Sequence, residues 1–399
     1  MLPYIVVFFI SIISTYFAER YRELKIVFLL FSVVAILGPA LLYGLRDENI
    51  GTDMRFYMLQ IYDNIHRYTD FLSIFTDEIF EPCFLFLVFC GWHLFGSLSG
   101  ILFLLGLINM VLAYVAIFNM RKTLEPWLAM TFYLFLFFNM SMNIMRQFLA
   151  ISLCLLAFSL LLHRKYFRVF LLMVLAYFSH STAFVFIVPI FLYVYLRERE
   201  GRCDFWVKSY VVLLPFVFVF FDVILQTLIS FGVVSEKYSR YFTEDAEGGS
   251  RFPMSLFCVS LFIYIVLLSV ANFTKRRKYN WGSFNATDSK LYYFHYLALK
   301  SMRKDYLVMT SSFSVIAYSA IMLGLTAIVS MWSMRMGLYF QVLNIFLYAY
   351  VLKNDISQNK LFHYLFVIGL IVLYWFWQIV VCNDGETYPY TSRILGIYK

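Results

Sequence analysis

Residues 26–46 read IVFLLFSVVAILGPALLYGLR, an uncharged apolar run that closes on Gly44 and meets its first charge at Arg46. At about 1.5 Å of rise per residue, a helix over 26–44 covers roughly the 30 Å of hydrocarbon in a bilayer. Runs of this kind recur along all 399 residues, of which 62% are hydrophobic and only 14% charged. Backbone groups in lipid must be satisfied within their own segment, so the runs predict helices. The chain therefore reads as an all-α polytopic membrane protein, a single integral domain over 1–399. Crossings are expected at 2–18, 26–44, 98–119, 126–140, 146–162, 167–179, 181–196, 207–230, 254–273, 307–330, 336–352 and 361–381, about 12 in all. The first run has no small-residue cleavage site after it and reads as a membrane helix rather than a removed signal peptide.

Cations assign the sides. Lysine and arginine concentrate at 20–25, 121–122, 164–165, 197–202 and 275–304, and positive-inside bias puts these connections in the cytoplasm. The outward connections are then the loop 45–81, the turns at Arg146, His180 and Arg335, the loop 231–253 and the tail 382–399. Residues 46–81 carry eight acids against three arginines, whereas 275–305, within the basic loop 274–306, carry eight cations against two acids. That contrast supports the assignment.

Residues 82–96 are apolar enough for a helix, yet one more crossing there would turn every arginine-rich loop outward. The segment is read as re-entrant, interfacial or packed against other helices. The pairs 126–140/146–162 and 167–179/181–196 are short: about 14 residues reach only about 21 Å. Their outer turns should lie below the membrane surface, where polar backbone is tolerated only beside a protein-enclosed or watered cavity.

Four polar signatures fall on the outer side: Gly44-Leu-Arg46 with Gly51-Thr-Asp53, Asn143-Ile-Met-Arg146-Gln147, Ser179-His180-Ser181-Thr182 and Ser333-Met-Arg335. Ionisable groups beside hydrocarbon are costly and are functional candidates by default. Arg146 is read just inside the start of an inward-running helix, where free N–H groups already favour an anion, and Arg335 is given the equivalent place before a helix near 336. With Arg46, they offer planar, permanently charged forks suited to a diphosphate; the bland alternative is interfacial snorkelling. His180 is read as starting the helix that contains Pro189. It is either a base or hydroxyl-positioning group, or a capped structural histidine. Asp53, close to Arg55 and Tyr57, either pairs an arginine, orients a hydroxyl, acts as base, or is solvated. Asp222 is the other acid worth testing, and Lys237-Tyr238 with Arg240-Tyr241 mixes cations with aromatic faces as a sugar-phosphate surface does, or as an interfacial anchor does.

Other chemistries lack support. The net charge of +8 is divided among short connections rather than gathered on one soluble face, so no nucleic acid is expected. The six cysteines lack paired spacing and are read as buried fillers without disulfides. The six histidines have no acidic ligands at helical spacing, and no phosphate-cradling glycine loop appears, so neither a metal nor another cofactor is expected.

The chain resembles the EpsG-like branch of the Wzy-type polysaccharide polymerases. The likeness rests on Gly44-Leu-Arg46, Gly51-Thr-Asp53 and Tyr57, Glu81-Pro82, Asn143 to Ala150, His180 to Ala183 with Pro189, Lys237-Tyr238, and Arg335 with Tyr339-Phe340. The resemblance implies a glycosyltransferase of the bacterial inner membrane with a GT-C-like helical architecture. Such an enzyme moves a growing glycan from one undecaprenyl diphosphate to the terminal sugar of another lipid-linked repeat unit at the periplasmic face. Its partners would be those donor and acceptor lipids, the membrane, and a chain-length regulator. On that reading Arg146 and Arg335 stabilise the leaving diphosphate, and His180 or Asp53 serves the acceptor hydroxyl. Arg46, Arg55, Tyr57, Asn143, Gln147, Asp222, Lys237, Tyr238, Arg240, Tyr241 and Tyr339 contact substrate. A lipid-linked oligosaccharide transporter and an O-antigen ligase are the competing readings.

Overall fold

A computed structural model describes residues 1–77, 80–231, 252–282, 289–325 and 331–398. Helices dominate the described residues, which fall into two compact units: residues 1–184 with 368–399, and residues 185–367.

The first unit contains α1 (Leu2–Arg20), α2 (Lys25–Gly44), a π-helical turn (Met54–Met58), α3 (Leu59–Ile65), α4 (Phe71–Asp77), α5 (Pro82–Phe95), α6 (Leu98–Asn119), α7 (Pro126–Asn143), α8 (Met145–Leu162) and α9 (Tyr166–Ser179). Local chemistry sets several ends. Pro126 opens α7 where its missing N–H costs nothing. Gly96, left-handed at φ 62°, ends α5, and Ser97 caps α6 by accepting the Gly100 N–H at 3.2 Å. Only Ile144 separates α7 from α8.

α7 and α8 form the interior, while α1 and α2 leave Phe9, Ile13, Ile26 and Leu29 exposed as lipid-facing surface. An aromatic cluster ties α1 to α7: Phe8 meets Phe135 and Phe138 edge-on at 5.2 and 5.3 Å, and Trp375 packs on Phe135 at 5.6 Å. The indole Nε1–H of Trp375 donates to Asn139 Oδ1 at 2.9 Å.

α5 is a single helix of 14 residues, about 21 Å long. It runs antiparallel to α6, with Gly91 against Ile101 and Phe95 against Gly100. Glu81, at its other end, therefore lies alongside the middle of α6. Packing against another helix is one of the arrangements expected for 82–96.

The second unit contains α10 (Ile187–Glu198), α11 (Phe205–Val219), α12 (Phe221–Ser230), α13 (Phe252–Gly282), α14 (Ser289–Leu325), α15 (Met331–Gln341), α16 (Asn344–Lys353) and the first half of α17 (Lys360–Trp375). α14 is its spine: Ser319 pairs with Tyr210 of α11 at 2.8 Å, and Tyr306 packs on Tyr350 of α16 at 5.7 Å.

Eight helical segments among the described residues are long and apolar enough to cross a membrane, rather than about 12. Two of the expected crossings are shorter or interrupted. The run expected at 207–230 breaks at Phe220 into α11 and α12, and α9 has only 14 residues. Hydropathy averaged along the chain does not register such local breaks. Among the described residues Cys83, Cys90, Cys154, Cys203 and Cys382 are free, but Cys203 and Cys382 are exposed rather than buried, because both lie at or beyond helix ends.

Candidate active site

In the first unit, residues distant in sequence meet where α5, α8 and α9 begin or end. Arg146, the second residue of α8, donates from Nη1 to Glu81 Oε2 at 2.7 Å. The other oxygen of Glu81 accepts from His180 Nδ1 at 2.9 Å. One carboxylate thus holds a guanidinium and an imidazole together. The Arg146 guanidinium also lies 4.7 Å from the ring centroids of both Tyr57 and Phe80, which screen it from water. Tyr57 donates its hydroxyl to Asp53 Oδ2 at 2.7 Å, so a continuous polar chain runs from Asp53 to His180.

A second set of contacts holds the turn that carries Arg146. Arg46 is buried, donates from Nη1 to the Met142 carbonyl at 2.7 Å and lies over the Tyr43 ring. No carboxylate pairs with it among the described residues, and its Nε has no hydrogen-bond partner there. Asn143 Oδ1 accepts from Thr52 N at 2.8 Å, from Thr52 Oγ1 at 2.6 Å and from Asp53 N at 3.4 Å. Gly51 approaches this turn at φ 92°, a conformation glycine takes without penalty.

Burial pushes the Glu81 carboxyl up, but the His180 hydrogen bond and the Arg146 charge outweigh it and bring the value from 4.5 down to about 2. An ionised carboxylate only accepts, so His180 must donate from Nδ1, which leaves Nε2 as the ring's other proton site. The depressed value means that this carboxylate stabilises the fold above its unfolded pKa and loses that contribution as pH falls towards about 2. The wild-type protein is therefore expected to lose thermal stability between about pH 4.5 and 2 in a component absent from Glu81→Gln. A melting series in detergent over that range, showing the same slope for both proteins, would contradict the assignment.

A family model for the EpsG family matches residues 29–392. The chain belongs to the EpsG family. Members of that family are Wzy-type polysaccharide polymerases. No curated protein and no solved structure matches the chain.

In this EpsG-family chain, the predicted residues Arg46, Asp53, Tyr57, Asn143, Arg146 and His180 come together, with the buried Gln147 next to Arg146. Arg55 lies aside, in an exposed ion pair with Glu386. Arg335, Tyr339 and Asp222 belong to the second unit. Lys237, Tyr238, Arg240 and Tyr241 lie outside the described residues.

Two placements differ from expectation. Arg335 is the fifth residue of α15, not a residue before a helix, because Met331 to Met334 continue the helical turn without a breaker. It therefore lacks the free N–H groups of a helix start. His180 ends α9 in an extended conformation instead of starting the next helix; a 3₁₀ stretch, Ser181–Phe186, precedes α10, with Pro189 in the first turn of α10. Ser179 does not cap it, since its hydroxyl donates back to the Leu175 carbonyl at 2.8 Å.

Sequence reasoning missed two contributors. Glu81 appeared only within the Glu81-Pro82 signature, although an acid immediately before a helix-opening proline and an apolar run is itself an intramembrane-acid signal. The other is the tail, whose residues 382–398 fold back as a strap. Its Glu386 carbonyl accepts from Gly51 N at 3.1 Å, its Thr387 hydroxyl from Asn139 at 3.0 Å, and its Thr391 carbonyl from Asp47 N at 3.1 Å. Buried Thr387, Tyr390 and Ser392 were the available signal only in part, since a tail of mixed polarity has no periodicity to read.

Proposed function

We propose that the protein is a polysaccharide polymerase of the bacterial inner membrane, with its active face periplasmic and its helices in a GT-C-like arrangement. It transfers a growing glycan from undecaprenyl diphosphate to the terminal sugar of a second lipid-linked repeat unit. The observation that carries this reading is the Glu81 carboxylate shared between Arg146 and His180. With Nδ1 committed to Glu81, His180 Nε2 takes the proton from the acceptor hydroxyl. The hydroxyl oxygen then forms a new bond to the donor's anomeric carbon as the bond from that carbon to the diphosphate breaks. The electron pair leaves with the diphosphate, whose added charge is met by the fixed guanidiniums of Arg146 and Arg46. Asp53, held by Tyr57, orients acceptor hydroxyls. Arg335 is assigned to the donor diphosphate as well.

Reconstitution with a purified lipid-linked repeat unit alone tests this. A ladder of longer glycans is expected; intact substrate that merely crosses the bilayer indicates a transporter, and transfer only after a lipid A core acceptor is added indicates a ligase. Arg335→Ala and His180→Ala are each expected to lower extension by about 10²-fold or more while the protein still inserts. Normal long-chain product from Arg335→Ala removes that residue from the mechanism, and full activity of His180→Ala across pH leaves the histidine structural.

A further inference from the structure

Beside the charged cluster lies a cavity of about 380 Å³ whose walls are almost entirely apolar. It begins where the cluster ends. Cys83 is two residues beyond Glu81, and Ser179 directly precedes His180; both line the cavity. Leu149 and Leu153 line it from α8, three and seven residues after Arg146 and so on the same helix face, deeper in the unit. Leu112 of α6 lines it as well. On the open side stand Phe86 and Leu175, 50% and 46% exposed. The α5 start is what makes this geometry: a helix that begins at depth places a carboxylate–arginine–histidine group at the head of a hydrocarbon-lined groove.

A groove with a guanidinium and a proton acceptor at one end, apolar walls beside them and a lateral opening fits an amphiphile with a compact anionic head and a long hydrocarbon tail. We infer that this groove holds the proximal isoprenoid units of the polyprenyl diphosphate carrier, with the diphosphate at Arg146 and the remaining tail leaving between Phe86 and Leu175. The inference rests on the polymerase reading for the identity of the carrier. It adds the place where the carrier's tail is read, and it makes the α5 to α8 wall a determinant of tail specificity. Leu149 and Leu153 are positioning residues here, since they act by fixing where the diphosphate sits.

The test uses the full-length protein in phosphatidylglycerol nanodiscs and farnesyl diphosphate bearing a benzophenone on its tail. Cross-links are expected in the peptides spanning 82–87 and 149–153, competed by excess farnesyl diphosphate but not by farnesol. Leu153→Trp is expected to lower the cross-linking yield by about tenfold with an unchanged melting temperature. Leu175→Trp, at a half-exposed rim position that does not depend on core packing, is expected to do the same. Displacement by farnesol as effective as by the diphosphate, blockage by the nanodisc phospholipid, cross-links elsewhere, or undiminished yield in both tryptophan variants would overturn the proposal. The polymerase reading is judged separately by ladder formation in the same preparation. Absent ladders with groove labelling intact defeat that reading alone, whereas ladders without groove labelling defeat this inference alone.

Discussion

Replacing Glu81 with Ala is expected to lower glycan extension by about 10²-fold or more and to destabilise the protein by about 2–3 kcal/mol. The stability figure follows from what is left behind. Without the carboxylate, the Arg146 guanidinium stays between Tyr57 and Phe80 with no acidic partner, and an uncompensated charge costs more than the lost contact. Fully buried pairs lose about 3–5 kcal/mol when broken; this one should lose less, because Glu81 is 18% and Arg146 23% exposed. The activity loss has a separate origin. His180 loses the acceptor that fixes its tautomer and ring orientation, so its Nε2 is no longer presented reliably to a hydroxyl. The double variant Glu81→Ala with Arg146→Ala separates the two effects: thermal stability should recover in part, since no unpaired charge remains, while extension stays lost. Recovery of both, or of neither, would refute the shared-carboxylate account. Glu81→Gln should fall between wild type and Glu81→Ala in stability, because an amide keeps the volume and one acceptor.

Gly44→Ala is expected to cost about 2–3 kcal/mol, at the upper end of overpacking by a single methyl group. A Cβ built there would lie 2.6 Å from the Phe103 Cβ, 2.7 Å from its Cα and 2.9 Å from its N. Two of these are backbone atoms of α6, so no rotamer change relieves the clash and α2 must move away from α6. Close approach through a small residue is how membrane helices gain packing energy that lipid does not otherwise provide. The consequence reaches the site. Arg46 follows two residues later and donates to the Met142 carbonyl at the turn that presents Arg146, so a displaced α2 end should lower activity together with stability. Trimming Phe103 to Ala distinguishes this from a side-chain clash. Because the backbone remains in place, Gly44→Ala with Phe103→Ala should melt no higher than Gly44→Ala alone; rescue to the wild-type melting temperature would show that the side chain was the obstacle.

The charged cluster was partly legible because its signals are local. Arg46 stands two residues past a long apolar run, and Arg146 follows a helix break, so their positions at helix ends come from hydrophobic length and from the cost of burying charge. The expected recess of the site likewise came from short helices. What could not be read was partnership. Glu81 lies 65 residues from Arg146 and 99 from His180, and no periodicity links them. The strap from Asp384 onward has no helical pattern at all; its Thr387 carbonyl accepts from Tyr4, 383 residues away. Helix starts were misjudged where no proline or glycine marks them, as at Arg335, which a breaker-free run carries into the interior of α15.

Amino-acid sequence by itself determined that this chain is a multi-pass helical membrane protein, and which of its few charged residues stand at helix ends, because helix rise and the transfer cost of charge act over one segment at a time. Only the tertiary structure decided that one carboxylate, at the start of α5, joins an arginine and a histidine beside an apolar groove. That juxtaposition depends on how α5, α6, α8 and α9 pack, a property of no single segment.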